Sequence, residues 1–471
     1  MNRQPTVIVG LGVTGLSCAR YLTRKGVDIA VVDSRAQPPQ LAALRTELPD
    51  VPVYLGSFDE GVLGGAEEII LSPGASLQEP VIRRVMDRGT PVIGDIELFA
   101  REVHASMDRI PVIAVTGSNG KSTVTSLVAE MARADGRVTR AGGNLGPPAL
   151  ALLDDELDDK EATELFVLEL SSFQLETTTS LNPGAATILN ISEDHMDRYI
   201  DMSSYVEAKS RVFTGDGVMV LNLDDPMVAA MRYSKQGGPV PMNTRRIIGF
   251  TMASPGPDEF GVVEREGDVW IAHGRTLLSP ISALKLQGMH NVANALAALA
   301  LGTAVGLSLP AMQKALREFS GLPHRCQFVA EHGGVRWFND SKATNVGATI
   351  SAIRGFGHQG KSVVLIAGGD GKGADFSPLR IAVQKDKDAT PRAIRAMVLI
   401  GQDSERIAVA VRDMVPVVHA SDMRDAVRQA RKLAHFGDTV LLSPACASWD
   451  MYRDYQERGE RFIAAVNAEI S

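Results

Sequence analysis

Short apolar runs rich in Val and Ile recur along this chain, ending near Gly, Ser or Asp, with helical patterns bearing polar faces between many of them. Val7 to Val9, Ile29 to Val32, Ile69 to Leu71, Val112 to Val115, Phe166 to Leu168 and Ala186 to Leu189 are of this kind. So are Val363 to Ala367, Ala396 to Ile400, Val415 to Val418 and Val440 to Leu442. A strand that is apolar at successive positions needs cover on both faces, which is the condition of a parallel strand between two helical layers. The alternation therefore predicts an α/β fold of doubly wound sheets. About Asn243 to Leu284 the pattern becomes less regular, and the alternation at Gly261-Val262-Val263-Glu264 reads as antiparallel. Loops are expected at Ser106 to Arg109, Asp154 to Glu164 and Gln384 to Arg392.

At 471 residues the chain has length for about three domains. Its 48 Lys and Arg against 56 Asp and Glu leave a net charge of −8, which argues against a nucleic-acid partner. Three scattered cysteines, Cys18, Cys326 and Cys446, form neither a C-x-x-C pair nor a disulfide framework, so a reducing compartment is expected. Met1 to Pro5 runs straight into a strand, with no secretory leader expected. From Leu286 to Gln313 the only ionisable group is His290, but Asn291, Asn294, Gly302, Gly306 and Pro310 interrupt the stretch. It reads as a buried Ala-rich helix and not as a membrane span.

Two glycine-rich turns follow strands. Gly10-Leu11-Gly12-Val13-Thr14-Gly15 has the G-x-G-x-x-G form, and Asp33 closes the next strand 18 residues after Gly15. Such a turn admits a diphosphate at a helix N-terminus, with the acid reaching a ribose; a plain tight turn has the same composition. Thr116-Gly117-Ser118-Asn119-Gly120-Lys121-Ser122-Thr123 is a P-loop in kind, although Val115 stands where the longer motif has its first Gly. In such a loop backbone N–H groups cradle phosphates, Lys121 supplies a point charge and a hydroxyl holds Mg2+. A simple dehydrogenase has no use for this second turn, so the chain is expected to handle ATP and another diphosphate-bearing molecule.

Glu169 ends one buried run and His195 lies just beyond another. Parallel strands would deliver both to the edge that carries the P-loop, Glu169 as a Mg2+ ligand and His195 as a ligand or orienting group. Acids at strand ends also cap the next helix, and that reading stays open. Asn339 to Asn345 and Gly368 to Gly373 offer further polar groups, or plain turns.

Taken together these motifs resemble the Mur ligase family, over essentially the whole chain. The resemblance is carried by Thr116 to Thr123, Gly142 to Gly146, Leu168 to Glu176 (LELSSFQLE), Glu193 to Tyr199 (EDHMDRY), His290 to Asn294, Gly321 to Arg325, Asn339 to Asn345, Gly368 to Lys372 and Ser443 to Ser448. It implies a Rossmann-like N-terminal domain over 1–94 that binds a UDP moiety. A central P-loop ATPase domain with a mainly parallel sheet follows over 95–321. A Rossmann-like C-terminal domain over 322–471 takes the incoming amino acid and closes over its neighbour. LELSSFQLE and EDHMDRY are similar to the member that adds D-glutamate to UDP-N-acetylmuramoyl-L-alanine through an acyl phosphate, in the cytoplasm, as a monomer.

By that resemblance Val13, Thr14, Asp33, Ser34, Arg35, Gly74, Asn144 and His195 contact the UDP-linked substrate. Gly117 to Thr123 bind ATP, and Asn291, Asn294, Arg325, Asp340 and Lys342 fall on positions near it. Thr344, Lys372, Ser448 and Tyr455 fall on positions that hold the D-glutamate carboxylates. Lys121, Glu169, His195 and Lys209 are the implied catalytic set, with Ser122, Glu169, His195 and Lys209 around two Mg2+ ions. Lys209 matches a lysine carried as N6-carboxylysine; by spacing alone it is an ordinary helix lysine. The residues themselves leave three rivals open: a dehydrogenase built on the Gly10 turn, a nucleotide-hydrolysing switch, and a ligase with a different acceptor.

Overall fold

The computed structural model describes residues 5–106, 110–158, 162–196, 198–233, 245–286, 288–356, 362–384 and 393–470. The chain divides into two units: Met1–Ser279 with Leu296–Leu316, and Pro280–Ala295 with Arg317–Ser471. The division runs through the helix Met289–Ala304, where the long uncharged stretch was expected to be helical. Among the described residues no helix is long and apolar enough to cross a membrane.

The first unit carries two sheets. In the first, β1 (Thr6–Val9), β2 (Ile29–Asp33), β3 (Val53–Leu55), β4 (Glu68–Leu71) and β5 (Val92–Ile93) are all parallel, in the order β3-β2-β1-β4-β5. Successive side chains of a strand face opposite ways. Val7, Val9, Val32 and Leu71 thus join one apolar cluster while Ile8, Val31 and Ile70 join another, which is why these runs carry no polar position. Chain order reverses on either side of β1, so the Gly10 turn opens where an α/β sheet has its natural crevice.

The second sheet holds β6 (Val112–Thr116), β7 (Thr139–Gly143), β8 (Leu165–Glu169), β9 (Ala185–Ile188), β10 (Val218–Asn222), β11 (Ile247–Phe250), β12 (Glu259–Arg265), β13 (Asp268–His273) and β14 (Thr276–Pro280). Their order is β14-β13-β12-β11-β10-β9-β6-β8-β7. Pairing is parallel from β7 across to β12 and antiparallel between β12 and β13. The irregular stretch therefore contains the expected antiparallel pair, while β11 joins the parallel array.

In the second unit β15 (Gln327–His332), β16 (Val335–Asn339), β17 (Val363–Gly368), β18 (Ile394–Ile400), β19 (Val417–His419) and β20 (Thr439–Leu442) form a sheet ordered β15-β16-β20-β17-β18-β19. Only β15 runs antiparallel to its neighbour. Val363, Leu365, Leu399 and Leu441 face one cluster, and Val364, Ile366, Val398 and Leu442 the other. The acidic stretch from Asp154 is not all loop: the helix Ala149–Asp158 takes its first residues, a run free of Gly and Pro that has nothing to stop a helix. Residues 107–109, 159–161 and 385–392 of the expected loops lie outside the described residues.

Candidate active site

β6, β8 and β9 lie side by side and parallel, so the segments that follow them emerge at one edge of the second sheet. β6 opens into the P-loop and the helix Lys121–Ala134. Gly120 sits at φ +84, a left-handed conformation that a side chain disfavours, and this turns the loop into the helix. Lys121 Nζ donates to the carbonyls of Gly117 and Ser118 at 2.9 and 3.0 Å. Asn190, beyond β9, accepts from Asn119 N–H at 2.8 Å and donates back to its carbonyl at 3.1 Å, holding the loop from the side. Ser122 and Thr123 are buried.

Glu169, the last residue of β8, is 2% exposed. Asn144, just past β7, donates Nδ2–H to its Oε1 at 2.7 Å. Its Oε2 is buried with no hydrogen-bond partner among the described residues. An orphaned carboxylate oxygen is costly to bury, and a cation is the natural way to satisfy it. With the Ser122 hydroxyl at the start of the P-loop helix, the oxygen donors present suit Mg2+.

Lys209 lies on the helix Met202–Ser210 and is 2% exposed. Its Nζ donates to Gly117 O at 3.0 Å and to Thr116 Oγ1 at 3.4 Å, and stands 4.7 Å from the centre of the Tyr205 ring. Burial, with the Lys121 charge, holds its amine well below the ordinary lysine range; Asp194 and Glu169 oppose this. Tyr205 in turn pairs its hydroxyl with Ser118 Oγ at 3.1 Å. His195 is half-buried at φ +58, with its ring 4.7 Å from that of Phe173 and its Nε2 3.6 Å from Asp194 Oδ2.

The first sheet's turn is built differently. A Cβ on Gly15 would lie 1.9 Å from Gly10 O, so no larger residue fits this close approach. Asp33 is buried with both oxygens occupied: Leu11 N–H donates to it at 2.7 Å, and Arg35 donates through its backbone and guanidinium at 2.7–2.9 Å. Burial pushes this carboxyl up, but Arg35 and the backbone donors outweigh it and hold it at about 2. Val13, Ser34, Arg35 and Gly74 are exposed around the turn, and Thr14 is half-buried.

In the second unit the parallel trio β16, β20 and β17 again gathers its loops at one edge. Asp370 and Ala447 exchange backbone hydrogen bonds of 3.1 and 2.7 Å, which joins the Lys372 turn to the Ser448 segment. Lys372 takes φ +51 there. Arg458, 1% exposed, donates to Ser341 Oγ and to the carbonyls of Ser341, Cys446 and Ala447 at 2.8–3.1 Å. Burial draws its guanidinium down to about 10. Lys342 Nζ stands 3.9 Å from the centre of the Tyr455 ring. Thr344 N–H donates to Lys342 O at 2.9 Å. Asp340 is buried, accepting from Ser443 Oγ at 2.9 Å and Cys326 N–H at 3.2 Å; burial outweighs these bonds and raises it to about 6. Cys326, next to Arg325, meets His290 Nε2 at 3.2 Å, and Asn291 accepts from Asn294 at 3.1 Å on the same helix.

Three family models match the chain in succession. The Mur ligase MurD-like N-terminal domain covers residues 4–94, the Mur ligase middle domain 115–302, and the Mur ligase glutamate ligase domain 324–446. The UDP-N-acetylmuramoylalanine–D-glutamate ligase of Nitrosococcus oceani is 52% identical over 466 residues, 99% of this chain and 97% of that protein. The chain belongs to the Mur ligase family. Its relative of the same name from Pseudomonas aeruginosa is 49% identical over 98% of this chain and 97% of its own length. Two solved Mur ligases share the fold. MurF of Acinetobacter baumannii has a TM-score of 0.60 at 17% identity, covering 98% of this chain and 91% of that one. UDP-N-acetylmuramate–alanine ligase of Thermotoga maritima has 0.57 at 18%, covering 99% and 100%.

Within this Mur ligase Lys121 and Lys209 meet at Gly117 O and Asn144 meets Glu169 in the first unit, and Lys342 meets Tyr455 in the second. Sequence reasoning passed over Asn190, Tyr205, Arg198 and Arg458. Asn190 and Tyr205 carry no motif of their own, and a buried Arg458 looks like any helix arginine until its partners are known. Asp197, inside the EDHMDRY segment, lies outside the described residues.

Proposed function

We propose that this chain is an ATP-dependent ligase that joins D-glutamate to UDP-N-acetylmuramoyl-L-alanine in peptidoglycan precursor synthesis. The observation that carries this reading is identity near 50% along the whole chain to ligases of that name. The P-loop and the orphaned Glu169 carboxylate at one sheet edge support it. Residues 1–94 take the UDP moiety, 95–321 ATP, and 322–471 D-glutamate.

A carboxylate oxygen of the UDP-linked substrate attacks the γ-phosphorus of ATP; an acyl phosphate forms and ADP leaves. The amine of D-glutamate then attacks the acyl carbon, phosphate departs and the amine loses a proton. Lys121 neutralises charge on the transferring phosphoryl group, and the P-loop N–H groups hold its oxygens. Asn144 fixes the rotamer of Glu169. Ser122 and Glu169 would hold one Mg2+, and His195 with Lys209, carried as the carbamate, a second. Mg2+ supplies charge neutralisation between phosphate and carboxylate oxygens. Lys342, Lys372, Ser448, Thr344 and Tyr455 orient the D-glutamate carboxylates, and Arg325 with Asn291, Asn294 and Asp340 serves the nucleotide.

Phosphate release from ATP, measured with UDP-N-acetylmuramoyl-L-alanine and a panel of amino acids, tests the reading. D-glutamate should stimulate release and L-glutamate should not. Release that ignores the amino acid would overturn it.

A further inference from the structure

Arg198 lies three residues beyond His195 with its side chain 12% exposed. Its Nη1 donates to the Pro73 carbonyl at 2.8 Å and its Nη2 to Glu176 Oε2 at 2.6 Å. The guanidinium carbon stands 4.0 Å from the centre of the Phe173 ring. Pro73 belongs to the turn after β4, in the first sheet, beside Gly74. Phe173 and Glu176 belong to the helix Ser172–Glu176 after β8, in the second. One side chain therefore ties the loops of both sheets of the first unit together.

The tie continues inward. Phe173 packs at 4.7 Å against the His195 ring and at 6.1 Å against Tyr199. Tyr199 lies 5.2 Å from Tyr205, which reaches the P-loop through Ser118. Exposed ion pairs contribute little, but this one is nearly covered, with Glu176 14% exposed. A planar guanidinium presents a fixed fork to the carbonyl and the carboxylate while its face lies on the ring; a lysine ammonium is a point charge without that fork.

We propose that Arg198 is a positioning residue for the UDP-linked substrate. It holds the Ser72–Gly74 turn in register with the loop that carries His195. The inference rests on the proposed function, in which one substrate has its UDP end at the first sheet and its reacting carboxylate near His195. A long ligand gripped at both ends binds well only when the two grips keep their spacing, and small misplacements cost rate steeply.

The test compares Arg198→Ala and Arg198→Lys with the unchanged chain. UDP touches one grip only, so its affinity by calorimetric titration should stay within about twofold in both variants. Affinity for UDP-N-acetylmuramoyl-L-alanine should fall about tenfold or more in Arg198→Ala, with a matching rise in its KM and little change in the KM of ATP. Arg198→Lys should fall between, because it keeps the charge and loses the fork. Parallel loss of UDP and full-substrate affinity, or no loss of either, would overturn the inference. Glu176→Ala removes the carboxylate that Arg198 binds, and serves if Arg198→Ala does not fold. It should weaken the full substrate alone; an unchanged affinity there would count against the proposal. If the unchanged chain shows no D-glutamate-dependent phosphate release, the functional reading itself fails.

Discussion

Lys121 and Lys209 donate to the same carbonyl, that of Gly117. A carbonyl oxygen has two lone pairs and can take both donors, while burial and the Lys121 charge hold the Lys209 amine well below the ordinary lysine range. Lys121 is the half-buried member and, in the proposed function, the point charge. Lys121→Ala should therefore lower kcat by about 10^2–10^3-fold, the loss expected when one preorganised charge partner is removed. Steady-state phosphate release checks it, and turnover within about threefold of the unchanged chain would remove Lys121 from the chemistry. Asp95 gives a pH signature. Its Oδ2 accepts from Gln174 at 3.1 Å, its Oδ1 is buried with no hydrogen-bond partner among the described residues, and burial raises its carboxyl to about 6. A raised folded pKa means stability present below the unfolded value, near 4, and lost as pH rises through 6. At about 1.4 kcal/mol per unit, that loss is of order 2–3 kcal/mol. Asp95→Asn should flatten this fall; thermal unfolding of both forms at pH 4.5 and 7 measures it. Equal slopes would mean that Asp95 ionises freely in the folded chain.

At the scale of elements, the turns at β1 and β6 look alike in sequence but are held differently. The Gly10 turn is fixed by contact: Gly15 packs on Gly10 O, Ser72 Oγ donates to the same carbonyl at 2.9 Å, and Asp33 ties down Leu11. Gly15→Ala should force strand and helix apart, lower stability by more than about 2 kcal/mol and abolish UDP binding while nucleotide binding at the P-loop persists. Calorimetric titration with each ligand reads this out, and retained UDP affinity would contradict it. Asp33 is held from two sides, accepting from Leu11 N–H and from the backbone and guanidinium of Arg35. Strands with unbroken Val and Ile were legible because both faces are covered. β7, reading Thr-Arg-Ala-Gly-Gly, was not, since an edge strand needs no apolar run. β3 also lies at an edge and is only part-buried, whereas the edge strand β19 was legible in the run Val415 to Val418.

For the whole molecule, a chain of net charge −8 serves ligands that are all anionic. In the proposed function attraction would then be local, from Lys121, Lys342, Lys372, Arg325, helix N-termini and bound cations, and not from the global field. Two units with separate apolar clusters should not unfold as one. Scanning calorimetry should show two transitions. UDP-N-acetylmuramoyl-L-alanine at a hundred times its Kd should add about 2.7 kcal/mol to the first unit alone. A single transition that shifts as a whole would contradict this.

The amino-acid sequence by itself determined the parallel α/β architecture, the two glycine-rich turns and the family. These depend on side-chain period and on glycines close together along the chain, and such signals survive without knowing what lies opposite. Only the tertiary structure decided that Asn144 orients Glu169, that Lys209 is buried on the P-loop and that Arg198 bridges Pro73 to Glu176. The first two join segments brought together by strand order: β8 lies between β6 and β7, and β6 between β8 and β9, although the chain visits them in another sequence; the third joins turns of two different sheets. Burial and partnership are properties of that arrangement, and a lysine or an arginine acquires its chemistry from them.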